Sequence, residues 1–294
     1  MSVQNTVEST GIQHAAKRQA FRKQVVYPAT MHILMFIGVF IVLFPLLYAI
    51  VVSTQTMGEN YQKGSILPGT GTIENYELAW ERGNLGRLMI NTLIVALSVS
   101  IGKIILSITA AFALIYFRLR GGAIILGIIM LTHFLPLPVR IVPTYDLLAD
   151  LNWINTFQGL SVPFFASATG VLLFQQFYRT VPTDMADAAR VDGAGPIRFL
   201  FHILIPVSLT NIGALFLIEF IYMWNQYLWP LIVGNVPETR QVQIGIKQLI
   251  DTTTVVEWNV AMAGSIVVII PPLIVLLVLQ RSLMTGLTGS EEFR

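Results

Sequence analysis

The sequence predicts an all-α, polytopic membrane protein with six transmembrane helices and both termini in the cytoplasm. Three observations predict it. Of 294 residues, 54% are hydrophobic and only 12% charged, about half the charged share of a soluble domain, and the mean hydropathy is +0.69. Six apolar runs, near 31–52, 88–117, 123–143, 159–178, 205–233 and 260–280, are too long and continuous for barrel strands. In lipid, only helices or closed barrels satisfy the backbone. Lys and Arg gather on alternate connections, as the positive-inside bias requires.

The elements follow in order. Residues 1–30 form a polar, basic segment with Lys17, Arg18, Arg22 and Lys23, and the next run, ILMFIGVFIVLFPLLYAIVV, lacks a small-x-small cleavage site. At about 1.5 Å per residue that run crosses a hydrocarbon core of about 30 Å, so it is expected to stay as the first span, 31–52. Residues 53–87 are external. Their Pro68-Gly69 turn and Tyr/Trp content suit a small folded loop with a short helix at 73–82, though the same aromatics would serve as an interfacial anchor. Five further spans occupy 88–285, and 286–294 is a cytoplasmic tail. Inner connections carry Arg118 and Arg120, then Arg179, Arg190 and Arg198, then Arg281, whereas 144–158 has no Lys or Arg. A formal charge of +2, with most aromatics inside apolar runs, argues against a nucleic-acid partner. The sequence has no cysteine, hence no disulfide, thiolate metal site or thiol nucleophile.

The inner connection at 182–206, PTDMADAARVDGAGPIRFLFHILIP, is far longer than a common loop of about 4–6 residues. Pro182 suits a helix start, with Thr183 or Asp184 as cap and Asp184 and Asp187 in the first turn, where the dipole favours acids. Ala186, Ala188 and Ala189 continue a short helix and give it a face that another surface can approach closely. Gly193 is placed for a left-handed C-cap, and Pro196 for the first position of a second short helix. Arg190 and Asp192 flank the alanine face and could fix register by charge-assisted bonds. A docking element fits these features better than a solvated loop.

Ionisable residues at membrane depth are functional candidates. Lys103, His133 and Glu219 lie near mid-span, and Arg140, seven residues after His133, shares its helix face. Pro136, Pro138 and Pro143 predict a broken or bent third span. One reading makes His133, Arg140 and Lys103 a cationic path for an anionic solute. The other pairs Lys103 with Glu219 structurally and lets Arg140 snorkel to the interface. Trp224, Asn225 and Gln226 offer stacking and hydrogen bonds to a polyol, or equally contacts between helices.

The stretch DAARVDGAGPIRFLFHILIP resembles the EAA loop of ATP-binding-cassette importer permeases: Ala188, Ala189, Asp192, Gly193, Ala194, Ile203 and Pro206 fall in register. Asp187 replaces the usual Glu, and Leu200 takes the usual Phe position. WNQYLWPLIV (224–233) and the last span and tail resemble the six-span, carbohydrate-uptake branch of that family, and MLTHFLPLPVRIVPTYDLL looks most like its glycerol-3-phosphate importers. The resemblance implies a type I importer permease fold over 88–285. It implies a coupling role for Asp187, Ala188, Ala189, Arg190, Asp192, Gly193 and Ala194. The partners it implies are a second homologous permease, an ABC ATPase dimer, an extracytoplasmic solute-binding protein and membrane lipid. The sequence holds no P-loop, since Gly102-Lys103 is followed by Ile and lacks the upstream Gly. No cofactor is therefore expected in this chain; ATP and Mg would be bound by the ATPase subunits, and the chain itself would not be an enzyme. The rivals are an ion-coupled secondary transporter relaying through Lys103, His133 and Glu219, and a non-transporting scaffold. The first leaves the EAA register unexplained, and the second predicts no solute effect on any partner's ATPase.

Overall fold

A computed structural model describes residues 27–63, 66–117, 119–250 and 256–288. The basic set at 17–23, Arg118 and the end of the tail lie outside the described residues. Among the described residues, three helices are long and apolar enough to cross a membrane unbroken: α1 (Tyr27–Ser53), α4 (Leu85–Tyr116) and α15 (Trp258–Thr288). Between α1 and α4 come α2 (Met57–Lys63) and α3 (Thr72–Arg82), the latter close to the expected 73–82.

The other three apolar runs are bent pairs: the third span bends as its prolines predict, and the runs near 159–178 and 205–233, for which the sequence predicted no break, bend as well. Helices α5 (Gly122–His133) and α6 (Leu137–Asp150) meet at 96°. Pro136 precedes α6 in extended backbone, with Pro138 in its first turn. Proline cannot donate to the preceding turn and disfavours helix in the residue before it. The second pair joins α7 (Phe157–Ser161) and a 3₁₀ turn containing Pro163 to α8 (Ala168–Thr180), at 44°. In the third, α9 (Thr183–Val191) is followed by α10 (Pro196–Phe199), a π-helical turn at Leu200–Leu204 and α11 (Ile205–Val207), and this run meets α12 (Leu209–Trp224) at 74°. The run ending at 233 breaks again after Trp224 and restarts as α13 (Leu228–Val233). That restart sets Pro230 in a first turn, where its missing N–H is harmless. Helix α14 (Val242–Ile250) precedes α15.

The core forms where α12 packs along α15 and α4, and α4 packs along α8. Glycines permit the second approach. A Cβ on Gly102 would sit 2.7 Å from the Phe165 ring, and one on Gly170 only 2.3 Å from Ser107 Oγ. Helix α1 is mostly exposed along its length and touches chiefly α15.

Segment 53–87 is a folded clasp. The buried Asn75 donates to the carbonyls of Ser53 (2.9 Å) and Gln55 (2.7 Å), and its Oδ1 accepts from Asn259 at 2.7 Å. Arg82 pairs with Glu257, and Tyr61 donates to the Val256 carbonyl at 2.8 Å. Glu59 accepts from the Thr56 N–H at 2.8 Å, which holds its carboxyl below the usual range. These contacts favour the folded-loop reading, although Tyr61 and Trp80 stay about half exposed, at 54% and 49%.

Candidate functional site

At the far end of α4 from this clasp, α9 and α10 form the expected helix–turn–helix. The turn is a complete Schellman motif: Ala194 N donates to Ala189 O (2.8 Å) and Gly193 N to Arg190 O (3.0 Å). Gly193 has φ +76°, a conformation open to glycine and costly to other residues. Pro196 occupies the first turn of α10.

Three expectations for this segment need correction. No side chain caps α9: its cap is Pro182 in extended backbone, so Thr183 and Asp184 lie inside the helix. Asp187 is beyond the first turn and pairs with Arg190 at 2.8 Å, three residues on. The alanine face also turns inward. Ala189 is buried, and Ala186 and Ala194 pack on the same cluster, with Phe112, Phe174, Phe199 and Leu204. Small residues here let α9 sit close on its own bundle. The outward face carries Asp184, Asp187, Ala188, Asp192 and Val191, the last 87% exposed.

Arg190 does not stand free beside that face. Its guanidinium lies 5.1 Å from the centroid of Tyr116, the last residue of α4. Tyr116 and then Asp187 hold the guanidinium above its usual pKa, so it stays charged. The Tyr116 ring also meets Phe112 at 4.9 Å and Phe199 of α10 at 5.5 Å. A cleft of 230 Å³ opens beside this contact, lined by Phe112, Tyr178, Arg179, Thr183 and Leu204 among others. Sequence reasoning missed Tyr116; as one aromatic at a helix end, it carries no spacing signal that links it to residue 190.

In the bundle, Lys103 of α4 and Glu219 of α12 form a buried ion pair at 2.5 Å, their side chains 9% and 8% exposed. The other carboxylate oxygen accepts from Ser167 Oγ at 3.2 Å, and Ser167 in turn caps α8 by accepting from Gly170 N. Lys103 Nζ also lies 5.1 Å from the centroid of the Tyr222 ring. One carboxylate thus ties α4, α8 and α12 together.

His133 and Arg140 do not share a helix face. His133 ends α5 and Arg140 sits in α6, across the 96° bend made by Pro136 and Pro138. Arg140 is exposed and makes no ion pair among the described residues.

Trp224 is 1% exposed, stacks on Phe220 and donates its indole N–H to the Val268 carbonyl at 3.2 Å. Proline explains that bond. Pro272 in α15 has no N–H to offer the carbonyl four residues back, and Trp224 supplies the missing donor. Trp224→Phe should therefore lower stability by roughly 1–2 kcal/mol, the cost of an unpaired buried carbonyl, read as a lower melting temperature in detergent. An unchanged melt would remove this role. Asn225 donates to Ile221 O at 2.9 Å, and Gln243 of α14, which sequence reasoning missed, donates to Trp224 O and Asn225 Oδ1. Trp224, Asn225, Gln243 and Ser265 line a groove of 390 Å³ whose walls hold no ionisable side chain. Gln226 does not line it.

Residues 103–288 match the family described as binding-protein-dependent transport system inner membrane component. The sn-glycerol-3-phosphate transport system permease protein UgpE of Rhizobium meliloti (strain 1021) is 42% identical over 270 residues, covering 89% of this chain and 96% of that protein. The protein of the same name from Yersinia pestis bv. Antiqua (strain Antiqua) is 39% identical over 269 residues, with the same coverage. A crystal structure of a bacterial ABC transporter involved in the import of the acidic polysaccharide alginate shares the fold. It has a TM-score of 0.79 at 21% identity, covering 88% of this chain and 97% of that one. The chain belongs to the binding-protein-dependent transport system inner membrane component family and is a membrane-embedded permease subunit of a multi-component importer.

Proposed function

We propose that this subunit forms part of the translocation path for sn-glycerol-3-phosphate or a related glycerophospho compound. The carrying observation is the 42% identity, over 89% of the chain, to a permease of that transport system. In this reading the three bent pairs each count as one span, giving six, with both termini cytoplasmic. A second homologous permease completes the path, an external binding protein delivers the solute, and a separate ATPase dimer binds ATP and Mg. The chain performs no catalysis of its own.

The coupling surface is the outward face of α9 with its turn: Asp187, Ala188, Val191, Asp192 and Gly193. Exposed acids and an 87% exposed Val191 support docking into a groove of the ATPase. Closure of the ATPase dimer on ATP then shifts the permease between outward- and inward-facing states, provided ATP binds one state more tightly. Arg140, exposed and unpaired among the described residues, is the candidate contact for an anionic headgroup; His133 remains a second candidate. Lys103 is engaged by Glu219, so its part in a solute path would require that pair to open.

A sugar or oligosaccharide is the alternative solute. The uncharged groove of Trp224, Asn225, Gln243 and Ser265 favours it, because amides and a hydroxyl suit a neutral polyol. The deciding experiment reconstitutes the transporter with its binding protein and measures ATPase stimulation by sn-glycerol-3-phosphate, its diesters and neutral oligosaccharides. Stimulation at least tenfold stronger with the phosphates, reduced by Arg140→Ala, is the expected result. Stimulation by oligosaccharides alone would overturn the glycerophosphate reading.

A further inference from the structure

We infer that Tyr116 is the positioning residue through which the docked helix α9 drives the inner end of α4; the inference rests on the docking proposed above. Chain connectivity shows why such a residue is needed. Helix α8 runs into α9 through Val181 and Pro182, and α10 leads on to α12, so both neighbours are pulled through the backbone. Helix α4 has no such link and reaches α9 through side chains. The apolar contacts there are shallow, since Ala186 and Ala189 bring only methyl groups, and the 230 Å³ cleft leaves part of the interface unfilled.

The directed contact is Arg190 over Tyr116. Asp187 also pairs with the guanidinium at 2.8 Å, so Arg190 is held by two partners. Tyr116 also meets Phe199 at 5.5 Å, and Phe199 lies beyond the Gly193 turn. Both arms of the helix–turn–helix thus converge on one ring. Planar guanidinium over an aromatic face is directional and desolvates readily, so it resists sliding better than methyl contacts do. Above Tyr116, α4 runs 32 residues without a proline, about 48 Å at 1.5 Å per residue. A displacement at its inner end therefore reaches the Lys103–Glu219 pair and the outer clasp as a rigid-body motion.

The sequence has no cysteine, so Ile90→Cys gives a single spin-label site on this subunit, on an exposed position at the outer end of α4. In the assembled transporter, the distance from this label to one on the ATPase subunit is measured before and after trapping with ATP and vanadate. Tyr116→Leu should reduce the ATP-driven change to less than half, with the ATPase still bound and its own closure, read by paired labels on the ATPase dimer, intact. Tyr116→Phe keeps the ring and should keep the full change. A full change in Tyr116→Leu, an equal loss in both variants, or dissociation of the ATPase by Tyr116→Leu would each overturn the inference. Failure of the docking reading looks different: the ATPase would bind a chain carrying Gly193→Val as well as it binds the unmodified one.

Discussion

Lys103→Met should melt on the order of 10 °C lower than the unmodified chain in detergent, and it should accumulate poorly in the membrane. Removing one partner strands Glu219, 8% exposed in its side chain, as an unpaired charge among α4, α8 and α12. Breaking such a pair costs about 3–5 kcal/mol, and in a chain of this length each kcal/mol moves the midpoint by about 2–4 °C. Glu219→Gln should cost about as much, because Gln keeps a partner for Ser167 but strands the ammonium. The double variant Lys103→Met with Glu219→Leu should recover most of the loss, since an apolar replacement carries no desolvation penalty. Singles that melt like the unmodified chain yet fail in uptake would overturn this account. They would return Lys103 to the solute path.

Gly193→Val should abolish ATP-driven uptake at least tenfold while leaving membrane insertion unchanged. At φ +76° a residue other than glycine costs roughly 1–2 kcal/mol, and a β-branched one more. Nothing lies within 4 Å of the added Cβ, so the penalty is conformational and no clash contributes. Relief requires a lower φ, which opens the Schellman turn, breaks the bonds from Gly193 N and Ala194 N, and swings α10 away from α9. Both the docking face and the convergence on Tyr116 are then lost. Gly193→Asn should retain much of the activity, because Asn tolerates this region. The measurements are co-purification of the ATPase and uptake in vesicles. Wild-type values for both in Gly193→Val would sink the coupling role of this turn.

The coupling segment was legible to unequal depth. Pro196 and Gly193 announced the turn and the second helix, because each residue type fixes a backbone angle wherever it occurs. The direction of the alanine face was not legible. Ala186 and Ala189 lie three residues apart and Ala188 falls between them, so the same string serves an inward or an outward face. The neighbours decide, and Phe112, Phe199 and Leu204 belong to other elements. Caps failed for a related reason: Thr183 and Asp184 have the right chemistry, but Pro182 already holds the extended backbone a cap requires.

At membrane depth, the sequence marked Lys103 and Glu219 as unusual, and it held open whether they were partners or a path. Their separation of 116 positions leaves no trace in spacing; only the packing of α4 against α12 brings them to 2.5 Å. Trp224 shows the same limit. Its indole could stack on a solute, yet the carbonyl orphaned by Pro272, 48 positions later, claims its N–H.

What the sequence by itself determined was the class of protein, the apolar runs, the Gly193 turn and the family register of 187–206. Each follows from local chemistry: hydropathy over about 20 residues, the φ of proline and glycine, or a fixed short spacing. Only the tertiary structure decided that the runs near 159–178 and 205–233 also bend, which face α9 presents and where Arg190 and Lys103 find their partners. Those outcomes depend on what faces a side chain across a helix interface, and a linear string does not encode which helix will stand opposite.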